Sequence, residues 1–337
     1  MAAKITREPN LLHRTTVMQQ ISSTSPARSA IIVSLRAGQV RSNPEKRVAL
    51  REICKGRGRL YELDSEVMLG QACRELYALR PWRVVIVGGD GSLMRILSEL
   101  YRAYGGSPLP RITLVPAGTV NLAAKQWEIR GKPEVLLERA LEKLATQVVS
   151  RPSLKVQIDG QPYVAFTVGT GLVSHFFEAY EEHEKRGARV ASEIFFRTFF
   201  GAFLGSPYAR RILAPVNTTL TLGKREFGEQ GLTLLVSSVF RDVGLGLKPT
   251  YRASTVPGQL HLVASTLPAR RLGPLALRVL QGKPLHQEPK FPEVIDCLTE
   301  QFGLSLAETT KIVLDGDTIR ARHITVQPGP MLSVERY

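Results

Sequence analysis

Arg83-Val84-Val85-Ile86-Val87-Gly88-Gly89-Asp90-Gly91-Ser92-Leu93 is the stretch whose reading decides the fold. Residues 83–87 suit a buried strand and run straight into Gly88-Gly89-Asp90-Gly91-Ser92. Leu93, Ile96, Leu97 and Leu100 then recur at helical spacing, which predicts strand, tight turn and helix start in succession. Glycines let the backbone approach a ligand closely, and the open N–H groups of a helix N-terminus attract phosphate. Asp90 has the carboxylate to hold Mg²⁺ or accept a proton. Taken alone, the same turn is equally an ordinary strand-to-helix connection with an aspartate cap.

Working outward, residues 29–33 read as an earlier strand, followed by the turn Ser34-Leu35-Arg36-Ala37-Gly38. A basic segment from Arg41 to Arg59 carries Val48, Leu50 and Ile53 at helix-compatible positions. A short strand near Leu60–Leu63 and a helix over 66–79 lead back to the central stretch. Downstream, Arg111-Ile112-Thr113-Leu114-Val115 is a strand ending at Pro116-Ala117-Gly118-Thr119-Val120-Asn121, before a helix over 122–127 and another over 133–147. This alternation implies a parallel, doubly wound α/β sheet, whose ligands gather beyond the carboxyl ends of the strands. If the two glycine turns follow neighbouring strands, they face one crevice, with Gly118, Thr119 and Asn121 on its second side.

From about Pro152 the texture changes to short β-like runs: 154–158, 163–168, 218–222, 232–239, 259–264, 311–314, 323–327 and 331–334. They predict an antiparallel, β-rich, sandwich-like second domain. A helical insertion from Phe176 to Phe203 begins acidic and turns basic. It then carries Phe195, Phe196, Phe199, Phe200, Phe203 and Leu204 as one wide apolar face, suited to packing on the sheet or to touching lipid. Near the end, Leu314-Asp315-Gly316-Asp317 reads first as a hairpin turn. Its two carboxylates also suit a base and its orienting partner.

The division expected is a disordered leader over 1–27, a nucleotide-binding domain over 28–150, and a β-rich domain over 151–337 whose last strands are candidates to return toward the cleft between the two. No apolar run reaches the roughly 18 residues of a membrane span, and the leader lacks the pattern of a signal peptide. The three cysteines, Cys54, Cys73 and Cys297, have no metal-ligand spacing. They point to a reducing cytoplasm. The six histidines are scattered and read as structural or surface residues, His175 included. The formal net charge of +15 attracts nucleic acid, anionic lipid or phosphorylated substrates. No helix-turn-helix, RNP or zinc pattern supports specific nucleic-acid binding.

The three motifs, in this order and spacing, resemble the diacylglycerol kinase catalytic-domain family, which includes bacterial lipid kinases and sphingosine and ceramide kinases. The likeness runs from about Ile31 to the C-terminus. It implies the fold shared with NAD kinases and an ATP- and Mg²⁺-dependent transfer of the γ-phosphoryl group to a lipid hydroxyl. Diacylglycerol is the first acceptor it implies, and a sphingoid base or ceramide the next. It also implies a cytoplasmic protein peripheral to the inner face of the membrane. Gly88, Gly89, Asp90, Gly91 and Ser92 match the loop that holds the ATP phosphates and the metal; Gly118, Thr119 and Asn121 match the second nucleotide loop. Asp317 stands where the family has the glutamate base of Asp-Gly-Glu, and Asp315 matches its supporting aspartate. Gly118-Thr119-Val120-Asn121 favours this family over NAD kinase.

The sequence departs from the family at four places. The usual Thr-x-Asn-Glu after the loop is Ser92-Leu93-Met94-Arg95, where Arg95 is expected to contact phosphate. The first turn keeps only Ala37-Gly38 of Asn-Pro-x-Ser/Ala-Gly. Val256-Pro257-Gly258 replaces an acidic Asp-Asp-Gly, so the structural metal tied to it is not expected. Asp317 is one methylene shorter than glutamate. These changes motivate an alternative: a member without catalysis that persists as a nucleotide- or lipid-binding regulator.

Overall fold

The computed structural model describes residues 29–142, 145–183, 187–228, 231–272, 275, 278–279, 281–284 and 293–337; the leader expected over 1–27 lies outside them. The first half alternates strand and helix: β1 (Ser29–Ser34), α1 (Gly38–Arg41), α2 (Pro44–Cys54), β2 (Arg59–Leu63), α3 (Glu66–Leu79), β3 (Arg83–Gly88), α4 (Asp90–Tyr104), β4 (Arg111–Pro116), α5 (Leu122–Gln126), α6 (Pro133–Glu142) and β5 (Gln147–Arg151). The second half holds β6 (Leu154–Ile158), β7 (Gln161–Ala165), β8 (Thr167–Gly171), α7 (Leu172–Glu181), α8 (Ala188–Leu204), α9 (Pro207–Ile212), β9 (Thr218–Leu222), β10 (Arg225–Phe227), β11 (Leu234–Ser238), β12 (Leu260–Ser265), α10 (Ala269–Leu272), β13 (Val294–Thr299), β14 (Phe302–Leu314), β15 (Asp317–Pro328) and β16 (Leu332–Arg336).

The first sheet runs β2-β1-β3-β4-β16-β5, parallel from β2 to β16, with β5 antiparallel at the edge. Its strands are apolar throughout because helices cover both faces. Ile31, Val33, Val85 and Val87 pack with Val40, Leu50 and Leu137 on one side. Ile32 and Ile86 pack with Leu76, Leu93 and Leu97 on the other. The chain leaves β1 in one direction for β2 and in the other for β3, so the order reverses between β1 and β3. Ligands enter an open α/β sheet at such a switch point, beyond the carboxyl ends of the strands. There Ser92 Oγ, after β3, donates to Ser34 Oγ, at the end of β1, over 2.9 Å.

The second sheet is antiparallel, ordered β13-β12-β11-β8-β14-β15-β6-β7, with β9 and β10 added at β14. The long strand β14 pairs with β9 over Gly303–Leu306 and with β8 at Val313 and Leu314. It thus divides the sheet into two leaves, either side of a register shift between Ser305 and Thr310. Helix α4 joins the domains. Ser98 Oγ accepts from Val164 N at 2.9 Å, and Arg102 Nη1 donates to Pro162 O at 2.9 Å. One core therefore runs from Leu97 and Leu100 to Val164, Leu220 and Leu304.

Several local expectations change. The helix expected over 133–147 ends within the described residues at Glu142, and 147–151 is strand: Val148 and Val149 are β-branched and pair with β16. The insertion expected as one helix is α7 followed by α8, the latter preceded by Gly187 at φ +143°. The run 163–168 divides at Phe166 between β7 and β8. Strands β10 and β13 were not anticipated. The last strand, β16, returns to the first sheet, beside β4.

Candidate functional site

The two glycine turns follow neighbouring strands in register, with Gly88 opposite Pro116. Their backbones touch: a Cβ on Gly89 would lie 2.8 Å from the Gly118 Cα, and one on Gly118 would lie 2.5 Å from the Gly89 Cα. Only glycine fits at either position, and no side chain screens the backbone from a ligand there. Asn121 closes its own turn; its Oδ1 accepts from Gly118 N at 2.8 Å and its Nδ2 donates to Gly118 O at 2.9 Å. Asn121 is left-handed, at φ +52°, a conformation its short amide tolerates. Thr119 and Val120 stand exposed at the tip.

Asp90, the first residue of α4, reaches across to the other turn. Its Oδ2 accepts from Leu122 N at 2.8 Å and its Oδ1 from Ala123 N at 2.9 Å. The carboxylate thus caps α5 and ties the loops together, while each oxygen keeps a second lone pair. Burial raises its pKa above the ordinary carboxylate value, opposed by those two N–H groups and by Lys125.

The third motif is the tip of the β14–β15 hairpin. Asp315 and Gly316 both have positive φ, +48° and +88°, as a two-residue type I′ turn requires. Asp315 is fixed from within: its carboxylate accepts from Phe166 N at 3.0 Å and from Thr167 N at 2.8 Å. Its own N–H donates to Thr167 O at 3.1 Å. Burial pushes the Asp315 pKa well above the usual range; the Asp90 and Asp317 charges add to the rise, and the backbone N–H groups oppose it. Asp317 then sits over the first glycine turn, where a Cβ on Gly91 would lie 2.7 Å from its Oδ2. The hairpin tip thus brings Asp315 and Asp317 to the wall of the same interdomain cleft as Asp90, which lies 225 and 227 residues earlier in the chain.

The residues that follow the glycine loop acquire distinct roles. Met94 is buried in the core against which α4 packs. Arg95 Nε donates to Asp317 Oδ2 at 2.8 Å and its Nη1 to Glu66 Oε1 at 3.0 Å. Arg95, expected to contact phosphate, thus holds the carboxylate matched to the base. Gln39, absent from the sequence reading, donates from Nε2 to Gly118 O at 3.1 Å and accepts from Lys46 Nζ at 3.0 Å. No local pattern marks Gln39, because its partner is 79 positions away. His175 is structural, its Nδ1 donating to Ile212 O at 3.2 Å.

A cavity of about 880 Å³ begins at these loops and continues between the domains, within the range of small-molecule sites. Its mouth carries Arg36, Arg41, Arg95 and Lys125 beside the glycines, with Asp64 and Glu66 among them and Glu66 paired to Arg36 and Arg95. Its far end is apolar, with Phe176, Phe195, Phe199, Leu213, Val236 and Phe240. Asp315, Gly316 and Asp317 also line the cavity: Asp317 abuts the glycine turn at Gly91, and a Cβ on Gly316 would lie 3.4 Å from the Phe177 ring, so the hairpin tip reaches both ends. Phosphate groups suit the mouth, since bare glycine backbone and cationic side chains meet there. The donor set does not suit a resident metal: among the described residues, no three His, Cys, Asp or Glu gather to hold one. It does suit Mg²⁺ arriving on a nucleotide, with phosphate and water as its remaining ligands.

Residues 29–150 match the diacylglycerol kinase catalytic domain family. No curated protein matches the chain. Among solved structures, one of a diacylglycerol kinase from Bacillus anthracis str. Sterne is 12% identical, with a TM-score of 0.59, over 92% of this chain and 97% of that one. Two further structures from the same organism, each described as a candidate diacylglycerol kinase, are 14% and 12% identical with TM-scores of 0.60 and 0.63. Each covers 92% of this chain, and 96% and 97% respectively of the other. At these identities the structures establish the shared two-domain fold.

Proposed function

Because residues 29–150 belong to the diacylglycerol kinase catalytic-domain family, we propose that the chain is a lipid kinase transferring the γ-phosphoryl group of ATP to a lipid hydroxyl, with diacylglycerol as first acceptor. One observation carries the reading: a single cavity joins a cationic glycine mouth to an apolar chamber, with the hairpin tip that carries Asp317 reaching both. A substrate with a polar head and a greasy tail spans these two environments.

The roles of the residues follow from that placement. The glycine turns and the surrounding Arg and Lys side chains hold the phosphates. Asp317 accepts the proton of the lipid hydroxyl as its oxygen attacks the γ-phosphorus and the bond to the departing ADP breaks. Asp315 positions Asp317 by fixing the hairpin tip to Phe166 and Thr167. Arg95 orients the Asp317 carboxylate. Mg²⁺, when bound with the nucleotide, supplies charge neutralisation on the phosphates. Phosphoryl transfer asks for little beyond such positioning and electrostatics.

The Arg95–Asp317 ion pair also favours a second reading, a nucleotide- or lipid-binding regulator in which the base is held by its neighbour. Incubation with γ-labelled ATP, Mg²⁺ and separate diacylglycerol, sphingoid-base and ceramide acceptors tests the two. Label appearing on one lipid class supports the kinase. Nucleotide-dependent thermal stabilisation with no labelled lipid leaves the regulator.

A further inference from the structure

Helix α8 has two apolar faces with different surroundings. Phe195, Phe199 and Ala202 line the cavity. Continuing round the helix from this row, Phe196, Phe200, Phe203 and Leu204 are 53%, 59%, 51% and 83% exposed, and Phe203 and Phe200 touch the ring of Phe199. They follow at i, i+4, i+7 and i+8 and form one stripe. Solvent-exposed phenylalanines in such a row are uncommon on a soluble surface and mark an interaction site.

What surrounds the stripe is cationic. Exposed Arg189 lies one turn-pair before it on the same face, and exposed Arg197, Arg210 and Arg270 border it. The Arg197 guanidinium stacks 4.0 Å above the Tyr208 ring, and the Arg270 and Arg210 side chains converge where α8 ends at Gly205. An open cleft of about 710 Å³ between α8 and α9, with Phe196, Arg197, Phe200 and Tyr208 in its walls, continues the same surface. Glu178 and Glu182 sit toward α7, where they pair with Lys311 and Arg211; among the described residues of α8, Glu193 is the acidic one on the stripe side.

We infer that this face of α8 and α9 docks on an anionic lipid bilayer, with the phenylalanines at the acyl boundary and the arginines among the headgroups. Aromatic apolar side chains flanked by cations are the composition of an interfacial helix, and each arginine near an anionic leaflet adds attraction. The net charge of +15 acts in the same direction at longer range. A second copy of this chain fits the face poorly, since a two-fold interface would bring the same arginines together. Docking would set the cavity about 10 Å from the acyl region, one helix diameter. An acceptor lipid would then enter past α8 without crossing water, a consequence that rests on the lipid-kinase reading, whereas the docking does not.

The test is flotation of the full chain with vesicles of phosphatidylcholine alone and of phosphatidylcholine with phosphatidylserine, repeated for Phe200→Glu and for Arg210→Glu. Binding to the anionic vesicles is expected, with a loss of about tenfold or more for Phe200→Glu and a smaller, salt-sensitive loss for Arg210→Glu. Melting curves like that of the parent chain establish that both variants are folded. Equal binding to neutral and anionic vesicles, no binding at all, or Phe200→Glu binding as the parent does would overturn the proposal. So would a dimer in light scattering that Phe200→Glu turns into monomer, since the face would then be a subunit interface. Vesicle binding as expected without any labelled lipid would leave the docking in place and remove the kinase reading. Turnover on detergent-dispersed acceptor without vesicle binding would do the reverse.

Discussion

A methyl group at residue 91 would lie 2.7 Å from Asp317 Oδ2, closer than any real contact allows, so Gly91→Ala has to displace that carboxylate. Turnover of labelled ATP should fall at least tenfold, and Asp317→Asn should abolish it, while nucleotide still raises the melting temperature of both variants. Near-normal turnover in Asp317→Asn would remove Asp317 as the base. Asp315 has a separate signature. Its pKa is raised by burial, so the folded chain keeps its proton to higher pH than the unfolded chain does. Its contribution to stability is fully present below the ordinary carboxylate value and is lost as pH rises through the raised one. Asp315→Asn carries no such charge, and its melting temperature should decline less than the parent's as pH rises above about 4, the ordinary carboxylate value. Parallel pH profiles would contradict a buried, proton-holding Asp315.

At the scale of elements, α5 is a short helix whose N-terminus is capped from another turn by Asp90. Asp90→Ala leaves the Leu122 and Ala123 N–H groups without that acceptor. It should cost about 2 kcal/mol in a denaturant titration, the upper end for loss of a cap, and weaken nucleotide affinity because the two loops separate. Asp90→Asn, which keeps one acceptor oxygen, should cost less; equal losses would mean that the cap matters little. Elements with strong local periodicity were legible in advance. Helix α4 has its apolar positions, its Gly89-Asp90 start and its Gly105 end written in contiguous residues. The β14–β15 turn was legible for the same reason, since Asp-Gly favours positive φ. Strand β5 was not, because Val148 and Val149 acquire a strand's hydrogen bonds only from β16, more than 180 residues later.

On the scale of the whole molecule, β16 stands between β4 and β5, so the C-terminal segment completes the first sheet. A buried polar cluster fixes it there. Glu335 accepts from Thr113 Oγ1 at 2.6 Å and from the Tyr337 hydroxyl at 2.7 Å, and Arg83 lies 3.6 Å away. Burial, with the Glu335 hydrogen bond next, pushes the Tyr337 hydroxyl up to about 12. Arg83→Met removes that cation and leaves the buried carboxylate only the half-exposed Arg111, 3.9 Å away, which should cost about 3 kcal/mol in chemical denaturation. Pairing it with Glu335→Gln should recover much of that loss; an additive double variant would show that the two side chains act independently.

The sequence by itself determined the glycine turns, the hairpin tip and the likeness of residues 29–150 to the diacylglycerol kinase catalytic domain family, because those features depend on φ, on backbone access and on residues adjacent in the chain. It also supplied the apolar row of α8 without saying which way each phenylalanine points. The tertiary structure alone decided that Asp90 holds the second turn, that Arg95 meets Asp317, and that one face of α8 lines a cavity while the other meets solvent. Those outcomes depend on contacts between segments far apart in sequence, and such contacts exist only once both sheets have closed on their common core.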